Sequence, residues 1–230
     1  MDLGVILFLA LLVAVAAMRI FELRISKKHQ QDMTARGASK VKDPNFRWMA
    51  LFHTLVLVGA AVEVVFLHRP FIPALGFPMI ALFVFANFVR WWVIRTLGEH
   101  WNVQVMDSTK LGVITTGPFR YVRHPNYAAV FVEMIALPLI HTAWITALAG
   151  AIAHVLVLAL RLSTEERVLF ANPDYAAAMS SKPRFLPGLF RLFRSTATPV
   201  SSSRTHSWLC AVLPTSRTKR TSMIAGATAL

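Results

Sequence analysis

The densest group of chemically capable side chains in this sequence is the run from Gly117 to Tyr127, Gly-Pro-Phe-Arg-Tyr-Val-Arg-His-Pro-Asn-Tyr. It combines two arginines, a histidine and three aromatic rings, with a proline near each end. Because proline disfavours helix in the residue before it, Gly117-Pro118 predicts a turn. Proline suits the first helical position, so His124-Pro125 predicts a helix start whose free N–H groups face these side chains. The alternative is a basic loop with interfacial aromatic residues beside a membrane.

A second polar group, Arg161 to Arg167, follows a long apolar run and contains two adjacent carboxylates. Arg161 and Glu165 are four residues apart, so they share one helix face, and Glu166 lies about 100° around the helix from Glu165. One interpretation is a solvated helix start capped by Ser163 or Thr164. The other is a site in which this face meets the basic, aromatic run, which would hold a small zwitterionic cofactor beside a lipid-soluble substrate.

The composition indicates a membrane protein. Of 230 residues, 56% are hydrophobic and 15% are charged, and the mean hydropathy is +0.55. The net charge of +13 would suit nucleic-acid binding, but the charges flank apolar runs, so no nucleic-acid partner is predicted. A single cysteine, Cys210, supports neither a disulfide framework nor a cysteine-based metal site, and no metal site is predicted. The sequence also lacks a Gly-rich run of the Rossmann or P-loop type.

The apolar runs predict an all-α integral membrane bundle of about five transmembrane helices. The fourth run has only thirteen residues, so it predicts a short or tilted first arm of a helical hairpin over 128–160. Glu63 lies inside the second run, and a carboxylate there predicts a buried, protonated or paired group near the far interface. The predicted spans are Leu3 to Met18, Trp48 to Leu67, Gly76 to Leu97, Ala128 to Ile140 and Ala143 to Leu160.

The charges predict the orientation of this bundle. All of the 24 Lys and Arg residues except Arg69 fall on one side of the five-span topology. By the positive-inside rule, the N-terminus is predicted outside, and the long loops, the site and the C-terminus in the cytoplasm. A bacterial inner membrane is the predicted location. From Ser195 onward the chain has no acidic residue and no periodicity, which predicts disorder.

The Gly117–Tyr127 run, with Glu165-Glu166 some forty residues later, resembles the isoprenylcysteine carboxyl methyltransferase family of integral membrane enzymes. The resemblance covers about residues 85–190, including Tyr175 and the closing segment Lys182 to Gly188. It divides the chain into N-terminal helices with a basic loop (1–84), a catalytic region (85–190) and a tail (191–230). The family binds S-adenosylmethionine (SAM) at the cytoplasmic ends of its helices, which agrees with the missing Gly-rich loop.

Carried across by motif position, the resemblance implies a cofactor site and a catalytic group. It makes Arg161 the substrate-binding residue and puts Arg161, Glu165 and Glu166 in the catalytic group. This sequence departs from the family at Leu111, where some relatives have His, and at Phe119, where they have Tyr. The implied SAM contacts are Gln104, Leu111, Gly112, Val113, Ile114, Phe119, His124, Pro125, Asn126, Tyr127 and Glu165.

The side-chain chemistry fits methyl transfer. Displacement at a sulfonium needs alignment more than strong acid or base chemistry. Glu165 can hold amino or ribose groups, aromatic faces suit a sulfonium, and Arg161 can orient a carboxylate or stabilise an enolate or phenolate. The predicted acceptor is a lipophilic carboxylate or hydroxyl from the bilayer, either prenylcysteine-like or of the alkylpyrone or alkylresorcinol type that bacterial relatives methylate.

The sequence leaves three other functions open. An NADPH-dependent sterol-type reductase resembles the His-Pro-Asn-Tyr segment, but it has Gly and an acidic residue where this chain has Ala129 and Val130. A phospholipid N-methyltransferase would use the same cofactor with an amine acceptor. A transporter or scaffold with Glu63 and Glu133 lining a path would leave both polar groups without a role.

Overall fold

The computed structural model of the chain describes residues 2–41, 46–107 and 111–185. The predicted disordered tail and the Leu186 to Gly188 end of the closing segment lie outside these residues. Within them, two short 3-10 helices, Gly98–His100 and Gly117–Arg120, accompany a small sheet of β1 (Ser39–Lys40) and β2 (Met106–Asp107). The α-helices are α1 (Leu3–Ala35), α2 (Phe46–Phe66), α3 (Pro73–Leu97), α4 (Pro125–Leu139), α5 (Trp144–Phe170) and α6 (Pro173–Met179).

The protein is an all-α integral membrane protein, as the apolar runs predict. Four helices of the described chain, α1, α2, α3 and α5, are long and apolar enough to cross a bilayer. Their outward side chains are exposed and apolar, for example Val13, Phe66 and Leu148, as a lipid-facing surface requires. The fifth apolar helix, α4, is the predicted short arm, because it has only 15 residues and therefore extends about 22 Å.

The predicted helical hairpin is present as α4 and α5. Its tip is held to the α2–α3 turn, because Thr142 Oγ1 donates to the carbonyl of Pro70 at 2.7 Å and His141 Nδ1 lies 2.9 Å from the carbonyl of Arg69. We call this the hairpin end of the bundle. The opposite end, where α1, α3 and α5 finish and α2 and α4 begin, is the loop end, and it carries both polar groups of the sequence.

Helix α1 continues well past the apolar run that predicts its span. Asp2 caps its start by accepting a hydrogen bond from the Val5 amide at 2.8 Å. The helix ends at Ala35, next to the predicted break at Arg36-Gly37, where Gly37 has a φ of 93°. Beyond it, β1 pairs antiparallel with β2. This sheet was not predicted, since two-residue strands have no readable periodicity.

A cluster of four charged side chains, three buried and Arg19 partly buried, joins three helices of the bundle. Glu22 of α1 accepts hydrogen bonds from Arg90 of α3 at 3.1 and 2.5 Å and from Arg19 at 2.8 Å. Arg19 also donates to Glu133 of α4. Two cations and two anions leave the cluster without net formal charge, which a low-dielectric interior requires.

Glu63 is buried near the hairpin end and is paired, in agreement with its predicted structural role. Its carboxylate accepts hydrogen bonds from the backbone N–H of Ile145 at 3.1 Å and of Thr146 at 2.7 Å. Arg69 adds a charge-assisted hydrogen bond at 3.0 Å. Glu63 therefore caps the start of α5 from a neighbouring helix, satisfying N–H groups that have no partner inside α5.

We predict that Glu63→Ala lowers the free energy of unfolding by about 2 kcal/mol, because it leaves helix N-terminal N–H groups and Arg69 without their acceptor. Chemical unfolding of the detergent-solubilised protein, followed by circular dichroism, measures the change. Glu99→Ala is the matched control: its ion pair with Arg36 is exposed, so its loss costs less than about 0.5 kcal/mol. Equal effects for the two variants would contradict the capping role.

Candidate active site

A cavity of about 270 Å³ opens among the helix ends at the loop end and reaches into the bundle between α2 and α5. Both polar groups of the sequence border it. Two residues from the predicted set, Leu111 and Glu166, do not line it. The predicted residues that do line it are Gln104, Gly112, Val113, Ile114, Phe119, His124, Pro125, Asn126, Tyr127, Arg161 and Glu165.

The centre of this site is a chain of hydrogen bonds through the hydroxyl of Tyr127. That hydroxyl donates to the carboxylate of Glu165 and accepts from Arg161 Nε at 2.7 Å. Arg161 Nη2 also donates to the carbonyl of Val103 at 2.6 Å, which ties α5 to the segment after α3. The predicted i, i+4 pair is present, with Arg161 Nε 3.9 Å from Glu165. Tyr127 thus links the two polar groups that lie far apart in sequence.

The interpretation of Arg161–Arg167 as a solvated helix start is wrong. Helix α5 runs without interruption from Trp144 to Phe170, so this segment lies inside its last turns. Ser163 and Thr164 do not cap a helix, because their hydroxyls donate backward to the carbonyl of Leu160.

Glu166 belongs to a different cluster from Glu165, because it lies around the helix from the cavity. Its carboxylate accepts hydrogen bonds from Arg184 at 2.6 and 3.1 Å. Arg123 Nη1 and His124 Nε2 each lie 3.2 Å from it. The carboxylate of Glu166, predicted to belong to the catalytic group, thus joins three segments of the chain and is not part of the cavity wall.

The closing segment packs directly against the Gly117–Tyr127 run. The backbone N–H groups of Arg123 and His124 donate to the carbonyls of Pro183 and Arg184 at 2.9 and 2.8 Å. Lys182 Nζ donates to the carbonyl of Phe119 at 2.7 Å. As predicted, the run begins as a turn, a 3-10 helix, and α4 begins at Pro125.

Gly117 is required by both conformation and space. Its φ is +56°, and a Cβ there would lie 2.4 Å from Thr96 Oγ1. The turn therefore packs directly against α3.

Several polar groups of the site have no partner among the described residues. They are the oxygens Gln104 Oε1 and Asn126 Oδ1 and the donor Arg123 Nε, all buried at the cavity wall. Because an unpaired buried polar group is costly, such atoms indicate a polar ligand. Tyr175, also on the wall, has its pKa raised to about 12 by burial and by the charge of Glu165. Its phenol is therefore neutral and can donate.

The structure adds lining residues that the sequence patterns did not single out, in particular His53, His154, Arg90, Met49 and Trp101. The sequence held a signal for the two histidines, since a polar residue inside an apolar span is a candidate functional group.

Leu111, predicted to contact the cofactor, does not line the cavity and packs beside Met33, Ala38 and Met106. Glu63 and Glu133, the two carboxylates of the transporter interpretation, do not line this cavity, and each is ion-paired. The described residues contain no group of three potential metal ligands.

Comparison with known proteins gives a family match and several similar bacterial proteins. Residues 79–171 match the model of the isoprenylcysteine carboxyl methyltransferase (ICMT) family. The protein YpbQ of Bacillus subtilis (strain 168) is 25% identical over 164 residues, 71% of this chain and 96% of that protein. A protein of Haemophilus influenzae (strain ATCC 51907 / DSM 11121 / KW20 / Rd) is 30% identical over 156 residues, 67% of this chain and 90% of its own length.

Two further similarities cover less of the partner chain. The nickel-cobalt-cadmium resistance protein NccN of Alcaligenes xylosoxydans xylosoxydans is 30% identical over 107 residues, which are 46% of this chain and 50% of that protein. Among solved structures, the eukaryotic intramembrane Ras methyltransferase, isoprenylcysteine carboxyl methyltransferase, superposes with a TM-score of 0.46 and 20% identity. That match covers 60% of this chain and 52% of the other.

We predict that Glu166→Gln loosens the loop end. The neutral amide loses the ion pair with Arg123 and the charge-assisted hydrogen bonds from Arg184, so backbone amides of 123–124 and 182–185 exchange at least about tenfold faster. Hydrogen–deuterium exchange read by mass spectrometry measures this. Glu165→Gln is the matched control, since Glu165 does not contact Arg184, and it leaves exchange at 182–185 unchanged. Unchanged exchange at these amides in Glu166→Gln would contradict the joining role.

Proposed function

Since this chain belongs to the isoprenylcysteine carboxyl methyltransferase family, we propose that it is a membrane-embedded O-methyltransferase that uses SAM and a lipophilic acceptor. The observation that carries the proposal is the cavity at the loop end, where the Arg161–Tyr127–Glu165 chain stands beside unpartnered polar atoms. The family is one of methyltransferases, and the protein is an integral membrane protein. The methyl donor, the acceptor class and the orientation in the membrane are the proposed parts.

The residues at the wall fit SAM as the methyl donor. Gln104 Oε1 and Asn126 Oδ1 can accept from amino or hydroxyl groups, which SAM carries on its adenine, ribose and methionyl parts. Arg123 Nε, an unpartnered donor, suits the methionyl carboxylate, and Glu165 suits the ammonium. Tyr127 and Phe119 place aromatic faces at the same wall for a sulfonium. Bound there, SAM would supply an electrophilic methyl group.

The chain's own contribution is orientation and exclusion of water. Arg161 is held at three points, Tyr127, the Val103 carbonyl and Met49 Sδ, so its guanidinium has a fixed place at the cavity wall. A fixed donor next to the reacting oxygen lowers the barrier by alignment, which is the main requirement of a displacement reaction. We assign Glu166 a positioning role, because it holds Arg123 and His124 in the wall.

The acceptor would reach the cavity from the bilayer side. The cavity wall includes the apolar side chains of Val130, Val157 and Leu158, and the outer faces of α2 and α5 are apolar as well. A hydrocarbon chain can occupy such a passage while the polar donor enters at the loop end. The positive charges flanking the spans support a cytoplasmic loop end.

We predict that Glu165→Gln weakens SAM binding about 10-fold or more, because it removes a charge-assisted hydrogen bond in a buried site. A Gln104→Ala/Asn126→Ala double variant weakens binding by a similar factor. Equilibrium dialysis with labelled SAM and purified protein in detergent measures both. The control is Glu99→Gln, an exposed carboxylate outside the cavity wall, with an unchanged Kd. Tight binding of NADPH and none of SAM would favour the reductase interpretation instead.

Transfer itself is tested with labelled SAM and three acceptors: farnesylcysteine analogues, long-chain phenols or pyrones, and phosphatidylethanolamine. Label in a phenyl ether, enol ether or ester supports O-methyl transfer, whereas label in the phospholipid amine supports the N-methyltransferase alternative. No transfer to any acceptor together with no SAM binding would overturn the proposed function.

A further inference from the structure

One part of the cavity wall at the loop end is a stretch with little regular structure. Residues 101–107, which we call the wall segment, follow the 3-10 helix Gly98–His100, end in β2 and all line the cavity. Residues 101–105 belong to no helix or strand. Because buried backbone groups need hydrogen-bond partners, contacts from other parts of the chain must hold this segment in place.

The part of α1 beyond its apolar run supplies two of these contacts. Ser26 Oγ accepts a hydrogen bond from the N–H of Val103 at 3.0 Å. His29 Nδ1, about one helical turn farther on, donates to the carbonyl of Trp101 at 2.8 Å. The extension of α1 therefore lies along the wall segment and binds its backbone at two points.

The chain that follows α1 holds the other end of the wall segment. Lys40 of β1 pairs with Met106 of β2, and the N–H of Val41 donates to the carbonyl of Val105 at 3.0 Å. The side chain of Met33, near the end of α1, packs beside Met106. The wall segment is thus bound from residue 101 to residue 106 by α1 and β1.

Ser26 is placed to serve the wall segment and not the cavity directly. Its side chain is fully buried, with 0% of its surface exposed, and does not line the cavity. Burying a hydroxyl is costly unless it is hydrogen-bonded, and Ser26 Oγ accepts from Gln30 Nε2 at 2.9 Å as well as from Val103. Ser26 also precedes residues 79–171, which match the family, so the family match does not account for it.

Val103 connects Ser26 to the guanidinium of Arg161. Its N–H donates to Ser26, and its carbonyl accepts from Arg161 Nη2 at 2.6 Å. Gln104, whose Oε1 has no partner among the described residues, is held in another way, because its N–H donates to Asn102 Oδ1 at 2.9 Å inside the wall segment. The contact of Ser26 therefore bears on Arg161 more directly than on Gln104.

We propose that Ser26 is a positioning residue for methyl transfer: it fixes Val103, whose carbonyl holds Arg161 at the cavity wall. The extension of α1 is thereby part of the active site, although no atom of Ser26 touches the cavity. This inference rests on the proposed function, in which Arg161 orients the acceptor. Without the hydroxyl of Ser26, the carbonyl of Val103 loses its fixed place and the guanidinium moves with it, which misaligns the acceptor.

Hydrogen–deuterium exchange of the detergent-solubilised protein tests the contact itself. In Ser26→Ala, the amide of Val103 loses its acceptor and exchanges about tenfold faster or more. Ser26→Cys gives the same result, because a thiol fills the space of the hydroxyl but is a weak acceptor. Thr34→Ala is the control on the same helix: its hydroxyl is exposed and donates to the carbonyl of Gln30, so exchange over 101–107 is unchanged. Wild-type exchange in Ser26→Cys would show that packing, not the hydrogen bond, holds the segment, and would overturn the inference.

Turnover with labelled SAM tests the effect on the reaction, with N-acetyl-S-farnesylcysteine and 3-pentadecylphenol as the acceptors. Ser26→Ala and Ser26→Cys lower kcat about tenfold for the acceptor that wild-type protein methylates. The Kd for SAM, from equilibrium dialysis, stays within twofold of wild type, and Thr34→Ala changes neither quantity. An unchanged kcat would overturn the inference. So would a tenfold loss of SAM affinity, since that is the result of a generally loosened wall.

A double-mutant cycle tests whether Ser26 acts through Arg161. Arg161→Lys lacks the Nη2 atom that Val103 holds, so adding Ser26→Ala to it lowers kcat by less than about twofold. Losses that multiply in the double variant would mean that Ser26 acts by another route, and the positioning role would be wrong.

The wild-type protein separates the two levels of failure. If wild type binds SAM and methylates either acceptor, a negative result in the Ser26 variants concerns the positioning role alone. If wild type neither binds SAM nor transfers label, the proposed function fails and this inference with it. Thermal unfolding of each variant identifies any loss of the fold, and Ser26→Cys, which preserves the packing, decides the outcome if Ser26→Ala does not fold.

Discussion

The site depends on the ion pairs that Glu166 makes at the last turn of α5. Its carboxylate meets Arg123 and His124 from the run before α4 and Arg184 from the closing segment. These partners lie up to 43 residues away in sequence, so no local propensity brings them together. Without this carboxylate, three cationic or protonatable groups would crowd one small volume. Glu166 therefore holds these chain segments together beside the cavity. The side chain of Glu165, the preceding residue, contributes to the cavity wall itself.

The same electrostatic constraint acts throughout the bundle. Charges that enter a low-dielectric interior need partners, and the described helices supply them in matched groups: Arg19, Glu22, Arg90 and Glu133 in the middle, Glu63 and Arg69 at the hairpin end. The first group joins α1, α3 and α4, and Glu63 also binds the start of α5, so these charges fix how the helices pack as well as neutralising one another. In a bilayer, where apolar surface gives little specificity between helices, such contacts set the register.

This balance shapes what the cavity can bind. At the loop end, unpartnered oxygens and a spare guanidinium N–H suit a polar, zwitterionic methyl donor. At the deep end, the imidazoles of His53 and His154 lie beside the aromatic rings of Phe52 and Phe131. The two ends of this cavity of about 270 Å³ thus differ in the side chains that they present. The proposed reaction, between a polar methyl donor and a lipid-soluble acceptor, would use such a difference.

The sequence by itself determined the helices, the short arm of the hairpin, the break at Arg36-Gly37 and the helix start at Pro125. These follow from local rules: apolar run length, proline and glycine conformation, and i, i+4 spacing. Together with the family resemblance, it also named a set of site residues, most of which line the cavity. The sequence did not show which of Glu165 and Glu166 faces the cavity, because either carboxylate fits a site role until its partners are known. Only the tertiary structure decided that Glu165 faces the cavity, that Glu166 joins the chain segments, and that His53 and His154 meet. The reason is physical: contacts between helices depend on how these pack, and spacing along one helix does not reveal which face meets which neighbour.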